Sequence, residues 1–319
     1  MDRKSSRLRF GTLLFALALL AGLAPAHADG AKKEVVVPSS SSYPEGLTAT
    51  ADGTLYISSM TNGGVARVEP GAAEAEAWIA PGAFETRSTF GVLADEQAGK
   101  LWVCSNDATP LGVTGPTRTE GAHVKRFDLK TGAGDFSVRL PSSPSLCNDL
   151  VIGPDGALYV TNTLQPEILR LEEGASELDV WVRDETLAGG LDGLAFGPDG
   201  NLYVNTFMSG QLFRIDVADG TPGAITKLEL SRPLRFPDGL KRDGSSFLLV
   251  EGVGPLSTVR IDGDAATIET IEEFTGPSGV TRVGDTVWVS EGRITSLMDP
   301  NRTEEIPEFR LRSVELPTR

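Results

Sequence analysis

An internal repeat constrains this chain more than any other feature. The segments "PEGLTATADGTLYISS" (44–59), "LCNDLVIGPDGALYVTN" (146–162), "GLDGLAFGPDGNLYVNT" (190–206) and "FPDGLKRDGSSFLLVEG" (236–252) follow one template. Two weaker copies are "TFGVLADEQAGKLWVCSN" (89–106) and "GPSGVTRVGDTVWVSEG" (276–292). Each reads as a short apolar strand, a Gly-containing turn and a second strand of alternating character. A third strand follows, such as "GGVARVEP" or "QLFRIDV", and then a fourth, such as "EAWIA", "DFSVRLP", "LDVWVRD" or "TKLELS". No long stretch has helical period. Four antiparallel strands recurring roughly every 40–60 residues describe propeller blades. The first strands open on Glu45, Phe90, Asn148, Asp192, Asp238 and Ser278, so the expected fold is all-β, a six-bladed propeller of four-stranded antiparallel blades. A pair of β-sandwiches is the alternative, and it leaves six copies unexplained.

A propeller has to close, because an open sheet edge invites association. "KEVVVPSSSSYPEG" (33–46) parallels "SVRLPSSPSLCND" (137–149), which makes residues 34–38 a displaced fourth strand for the last blade. The terminal "FRLRSVELP" competes for the same slot. A closure that uses both chain ends satisfies both segments.

Residues 1–28 read as a secretory signal peptide: a basic start "MDRKSSRLRF", an apolar run "GTLLFALALLAGLAPA" and a small-residue cleavage site at Ala26-His27-Ala28. The run is shorter than the ~18 apolar residues a span needs. The expected organisation is therefore a leader (1–28) and one propeller domain (29–319), secreted or periplasmic. The formal charge is −15, and removing the leader takes away Arg3, Lys4, Arg7 and Arg9 but only one acid, Asp2. So acidic a surface argues against nucleic-acid and anionic-membrane partners and suits solubility; the expected partner is a small-molecule substrate and the expected state a monomer. After cleavage His123 is the only histidine, which excludes any mechanism that needs two.

The tripeptide Pro-Asp-Gly occurs three times, at 154–156, 198–200 and 237–239. It is a strong turn signal. Aligned on the repeat, Asp52, Asp155, Asp199 and Asp285 fall in the turn between the first two strands, whereas Asp238 falls at the opening position with Glu45, Asn148 and Asp192. In a propeller the opening residues of the innermost strands ring the central channel. Four of the six anchors are carboxylate or amide oxygen donors, and none is Lys or Arg. Converging acids repel and shift their pKa values unless a cation joins them. An all-oxygen set of mixed carboxylate and amide type suits Ca²⁺, with another divalent cation as the alternative. The competing reading makes these groups strand caps or water ligands.

At these residues the sequence resembles the senescence-marker-protein/gluconolactonase family, whose relatives include calcium-dependent organophosphate-hydrolysing propellers and the paraoxonases. The resemblance spans residues 34–319 and rests on Glu45 in "PEGL", Asn148 in "CNDL" and Asp238 in "PDGL". Blade 4 departs from the family pattern: Asp192 in "LDGL" stands where the family usually has Asn. The resemblance implies hydrolysis of a lactone or related ester. One Ca²⁺ in the channel would be held by Glu45, Asn148, Asp192 and Asp238, with Asp238 as general base or nucleophile. No G-x-S-x-G elbow is present, so Ser-His-Asp chemistry has no support.

Pocket walls are expected at second-strand ends and the loops after them, with Asn106, Thr163, Phe207 and Met208 as the leading candidates and Ser59, Met60, Asp107, Glu251 and Glu291 as further ones. The long "SNDATPLGVTGPTRTEGA" (105–122) reads as a substrate cover, dispensable for stability. Cys104 and Cys147 fall near each other on neighbouring blades, and an exported chain permits a disulfide between them. Two rival functions remain. One is a non-catalytic propeller that binds a small molecule or protein and carries structural calcium. The other is a strictosidine-synthase-like propeller, which would not need the oxygen-donor ring.

Overall fold

The computed structural model describes residue 1, residues 33–299 and residues 307–317. Residues 32–319 cluster as one unit and residues 1–31 as another. The expected leader lies outside the described residues apart from Met1. Among the described residues, no helix is long and apolar enough to cross a membrane.

Each copy of the repeat becomes one sheet, and there are six. Blade 3 shows the plan: Cys147–Ile152, Leu158–Asn162, Glu167–Leu171 and Asp179–Arg183 pair antiparallel in chain order. The first strands of successive blades pack side by side all the way round, and that of blade 6 (Gly279–Val283) returns to that of blade 1 (Leu47–Ala49). The fold is a closed six-bladed propeller.

Alternation along the strands sends apolar side chains into the wedges between blades. One cluster between blades 1, 2 and 3 holds Leu47, Ile57, Phe90, Cys104, Leu150 and Val160. Burying one aliphatic side chain of this size stabilises the fold by about 1.5–3 kcal/mol. The Pro-Asp-Gly turns of blades 3 and 4 share one further device. Asp155 Oδ2 accepts from the Tyr159 hydroxyl at 2.9 Å, and Asp199 Oδ2 accepts from the Tyr203 hydroxyl at 2.9 Å. The "PDG" and "LYV" elements of the repeat therefore lock each other.

Both chain ends build blade 6. Phe309–Glu315 is its third strand, and Glu34–Val37 pairs with that strand as the outermost one. Val35 and Val37 are buried there, and their strand covers an edge that would otherwise offer unpaired backbone groups.

Two expectations need correction. Only Thr226-Lys227 of the segment "TKLELS" belong to the fourth strand of blade 4. That strand is Thr221–Lys227, which turns straight back from the long third strand Gln211–Ala218 through Asp219-Gly220. Glu229–Leu230 instead adds to blade 5 as a parallel fifth strand on Ala265–Glu273. The second correction concerns residues 105–122, which do not form a separable cover. The buried Arg87 guanidinium donates to the carbonyls of Thr114 at 2.9 Å and Thr119 at 3.0 Å and to the Thr109 hydroxyl at 2.6 Å, and it pairs with Asp107 at 2.9 Å. Ala108 and Val113 sit in the main core cluster. This loop is part of the packed body.

Candidate metal centre

A local break in strand pairing accompanies the three expected ligands Asn148, Asp192 and Asp238 at the channel, while Glu45 stands just ahead of the first strand of blade 1, Leu47–Ala49. In blades 2 to 5 the ladder between first and second strands shifts register at the same place: between Thr89 and Val92, Cys147 and Leu150, Leu191 and Leu194, and Pro237 and Leu240. The residues skipped are the anchor and its successor. Such a bulge removes a residue from the ladder and re-aims its side chain. Asp238 thus lies inside the first strand of blade 5, Pro237–Asp243, and not in a turn.

Glu45, Asn148, Asp192 and Asp238 all line one small cavity, together with Asp149, Lys241 and Ser278. Each of the four expected ligands is at most 5% exposed. The cavity admits the centre of a water-sized sphere over about 10 Å³, close to the least that holds a single small guest. Phe90, the blade 2 anchor, packs into the apolar core instead.

The charges in this space are poorly balanced. Burial, followed by the charge of Asp149, pushes the Asp192 carboxyl up to about 8. Burial and then the charges of Asp192, Glu45 and Asp149 hold Asp238 well above the usual carboxylate range. Burial first, then Asp192 and Asp149, does the same to Glu45, with Lys241 opposing. The lack of a base among the anchors does not extend to the cavity: Lys241, three residues past Asp238, reaches in and pairs with Asp149 at 2.9 Å. One ammonium among four carboxyl groups is too little positive charge to keep them all ionised.

The amide of Asn148 carries the most specific signal. Its Nδ2 donates to Thr163 Oγ1 at 3.0 Å and to Asp192 Oδ2 at 3.2 Å. Thr163 spends its own hydroxyl hydrogen on the Leu191 carbonyl at 2.8 Å, so both neighbours require the nitrogen. Asn148 Oδ1 is consequently buried with no partner. A buried acceptor left unpaired costs about 1–3 kcal/mol, and a cation would satisfy it. Among the described residues, no three His, Cys, Asp or Glu side chains already stand in a metal-holding group. Asp192 Oδ2 accepts from the Asn148 amide while its carboxyl lines the cavity. As a donor set, three carboxylates and a free amide oxygen fit a hard divalent cation.

Side chains at second-strand ends clamp the anchor backbone of the next blade. Thr161 Oγ1 donates to the Asp192 carbonyl at 2.8 Å, and Asn205 Nδ2 to the Asp238 carbonyl at 2.6 Å. Ser278 Oγ donates to the Pro44 carbonyl at 2.7 Å, joining blade 6 to blade 1 beside Glu45. Asn106, expected in the pocket wall, accepts from the Cys147 N–H at 2.9 Å and donates to its carbonyl at 2.8 Å, so both amide atoms are spent next to Asn148. Thr163 holds Asn148 directly. Phe207 is buried 5.2 Å from the Phe236 ring, while Met208 is 59% exposed. Glu251 accepts from the Arg235 N–H at 2.7 Å and pairs with Arg232, and Glu291 accepts from the Thr275 N–H at 2.7 Å and pairs with Arg312; these two brace loops. His123 is the second residue of the third strand of blade 2, Ala122–Asp128, half-buried, and burial lowers its pKa to about 4.

A disulfide joins Cys104 in blade 2 to Cys147 in blade 3, with Cα atoms 5.2 Å apart, directly before Asn148. Closing a loop of 43 residues stabilises by about 4 kcal/mol in the chain-entropy account. Sequence reasoning missed Asp149 and Lys241. A signal was present: the residue after the anchor is Gly in five blades and Asp only in blade 3.

No family model matches the sequence, and no curated protein does. Solved structures do match in fold. A gluconolactonase from Xanthomonas campestris is 18% identical with a TM-score of 0.61, covering 91% of this chain and 91% of that one. A luciferin-regenerating enzyme is 12% identical with a TM-score of 0.64, covering 85% and 91%. Virginiamycin B lyase from Staphylococcus aureus is 17% identical with a TM-score of 0.60, covering 89% and 99%. The chain shares the propeller fold of gluconolactonases and of related propeller enzymes with other chemistry.

Proposed function

We propose that this protein is an exported hydrolase of lactone or ester bonds that works with one calcium ion in its central channel. The observation that carries this reading is the unpartnered Asn148 Oδ1 in a cavity it shares with Glu45, Asp192 and Asp238. The likeness to a gluconolactonase fold supports the choice of lactones. Calcium, when bound, would supply polarisation of the substrate carbonyl.

The protein's own contribution is placement. Glu45 and Asn148, fixed by the blade 6 to blade 1 clamp and by the Cys104–Cys147 bridge, would hold the ion. Asp192 adds a carboxylate that strengthens holding while reducing the ion's pull on a carbonyl. Asp238 takes a proton from water at its carboxylate, or attacks the carbonyl carbon itself. Asn205 holds its backbone carbonyl, which fixes where the side chain leaves the strand.

The test is hydrolysis of a panel of lactones and aryl esters with added calcium and with chelator. The expected result is turnover that chelation abolishes and that Asp238→Asn removes while calcium still binds. A second reading, a binding module with structural calcium, draws on the cavity's size of about 10 Å³, which suits an ion better than a reacting group. Calcium binding with no turnover across the panel would favour it.

A further inference from the structure

The pair Lys241 and Asp149 lies in the same cavity and is used by none of the steps above. Three residues past the anchors stand Thr48, Leu93, Val151, Ala195, Lys241 and Thr281, so only blade 5 sets a charge there. One residue past the anchors, only blade 3 sets a charge. At the corresponding glycines the first strands of neighbouring blades touch backbone to backbone: a Cβ on Gly91 would stand 2.3 Å from the Asn148 carbonyl oxygen, and one on Gly193 2.5 Å from that of Asp238. Asp149 is the exception to this packing, and Lys241 reaches it across the channel. The Lys241 Nζ lies 2.9 Å from Asp149 Oδ2 and 3.2 Å from Oδ1, with both oxygens gripping one ammonium.

We infer that the Lys241 ammonium is a tethered cation, filling a second cation position and limiting the channel to one divalent ion. This rests on the calcium reading and adds a stoichiometry to it. Four carboxyl groups face the cavity. A divalent ion takes up two of their charges and the ammonium a third, which leaves one negative charge for Asp238 to use on a proton. A second divalent ion beside the first would double the repulsion that the ammonium exerts, because Coulomb energy follows the product of the charges. A lysine fixed to a blade 5 strand also cannot be removed by a chelator.

The experiment is calorimetric titration of calcium into the chelator-treated protein, comparing wild type with Lys241→Gln, Lys241→Arg and the double variant Lys241→Gln/Asp149→Asn. Glutamine removes the charge and offers an amide oxygen beside the freed Asp149. The expected stoichiometries are one ion for wild type, two for Lys241→Gln, one for Lys241→Arg and one for the double variant. If Lys241→Gln folds only with calcium, the dependence of its melting temperature on calcium gives the count instead, steeper by one ion than wild type. One ion in Lys241→Gln, whatever its affinity, overturns the inference and leaves the calcium reading standing. No calcium bound by wild type overturns both.

Discussion

Asp155 and Asp238 occupy the same three letters, Pro-Asp-Gly, at opposite ends of a first strand, and the fold treats them in opposite ways. At the turn end, Asp155 accepts from the Ala157 N–H, the Tyr159 hydroxyl and the Arg170 guanidinium. Burial would raise its pKa, but Arg170 and Tyr159 more than offset this, and the carboxyl sits below the usual range. At the channel end, Asp238 is more deeply buried, and against it stand Asp192, Glu45 and Asp149, with the Gly239 N–H as a compensating donor. The turn supplies its own cations and donors. The channel supplies a single ammonium, Lys241, for four carboxyl groups, and in the proposed reading a divalent ion makes up the balance.

The largest expected break in this comparison is functional. Asp238→Asn should lower kcat/KM for lactones about 10²–10⁴-fold, while Asp155→Asn leaves it within about twofold. Equal losses at the two ends would erase the distinction. Next in size is the bridge: Cys104→Ser with Cys147→Ser should cost about 4 kcal/mol in denaturant unfolding and weaken calcium binding through Asn148. Third, Arg87→Met should cost about 2–3 kcal/mol, because the loop carbonyls of Thr114 and Thr119 lose a charged donor. Excision of residues 108–119 should lower the melting temperature by several degrees; an unchanged melting curve would restore the detachable cover.

A smaller effect is pH-dependent. Burial first, and then the charges of Lys125 and Arg139, keep His123 neutral down to about pH 4. The unfolded chain takes up that proton near pH ~6.5, so it binds more protons than the folded chain between those values. Stability therefore falls as pH drops through this window and is insensitive to His123 above it. His123→Asn should flatten the slope in thermal unfolding measured from pH 7 to pH 4. The smallest change is Asp155→Ala, within about 1 kcal/mol because its ion pair is partly solvated.

The blades and the anchor set were legible because both repeat: six copies fix the register, and the register alone separates Asp238 from Asp155 and Asp199. Closure by both ends was legible from the similarity of residues 33–46 to 137–149, although the order of the two strands was not. What the repeat could not carry was whatever occurs once. The Lys241–Asp149 pair joins blades 3 and 5 across the channel, a contact between single departures from the template. Arg87 lies in one blade and its loop partners in a non-repeating insertion, so nothing in the composition "TPLGVTGPT" distinguishes a packed loop from a loose one. Glu229–Leu230 went to the neighbouring blade because the turn at Asp219-Gly220 had already supplied blade 4 with its last strand.

The most direct test is diffraction from crystals soaked in calcium, with anomalous scattering used to place the ion. The account requires one ion in the channel, ligated by Glu45, the freed Asn148 Oδ1, Asp192 and Asp238, with Lys241 still on Asp149. Calcium elsewhere on the protein, or a channel holding only water with Asn148 Oδ1 bonded to it, would contradict it.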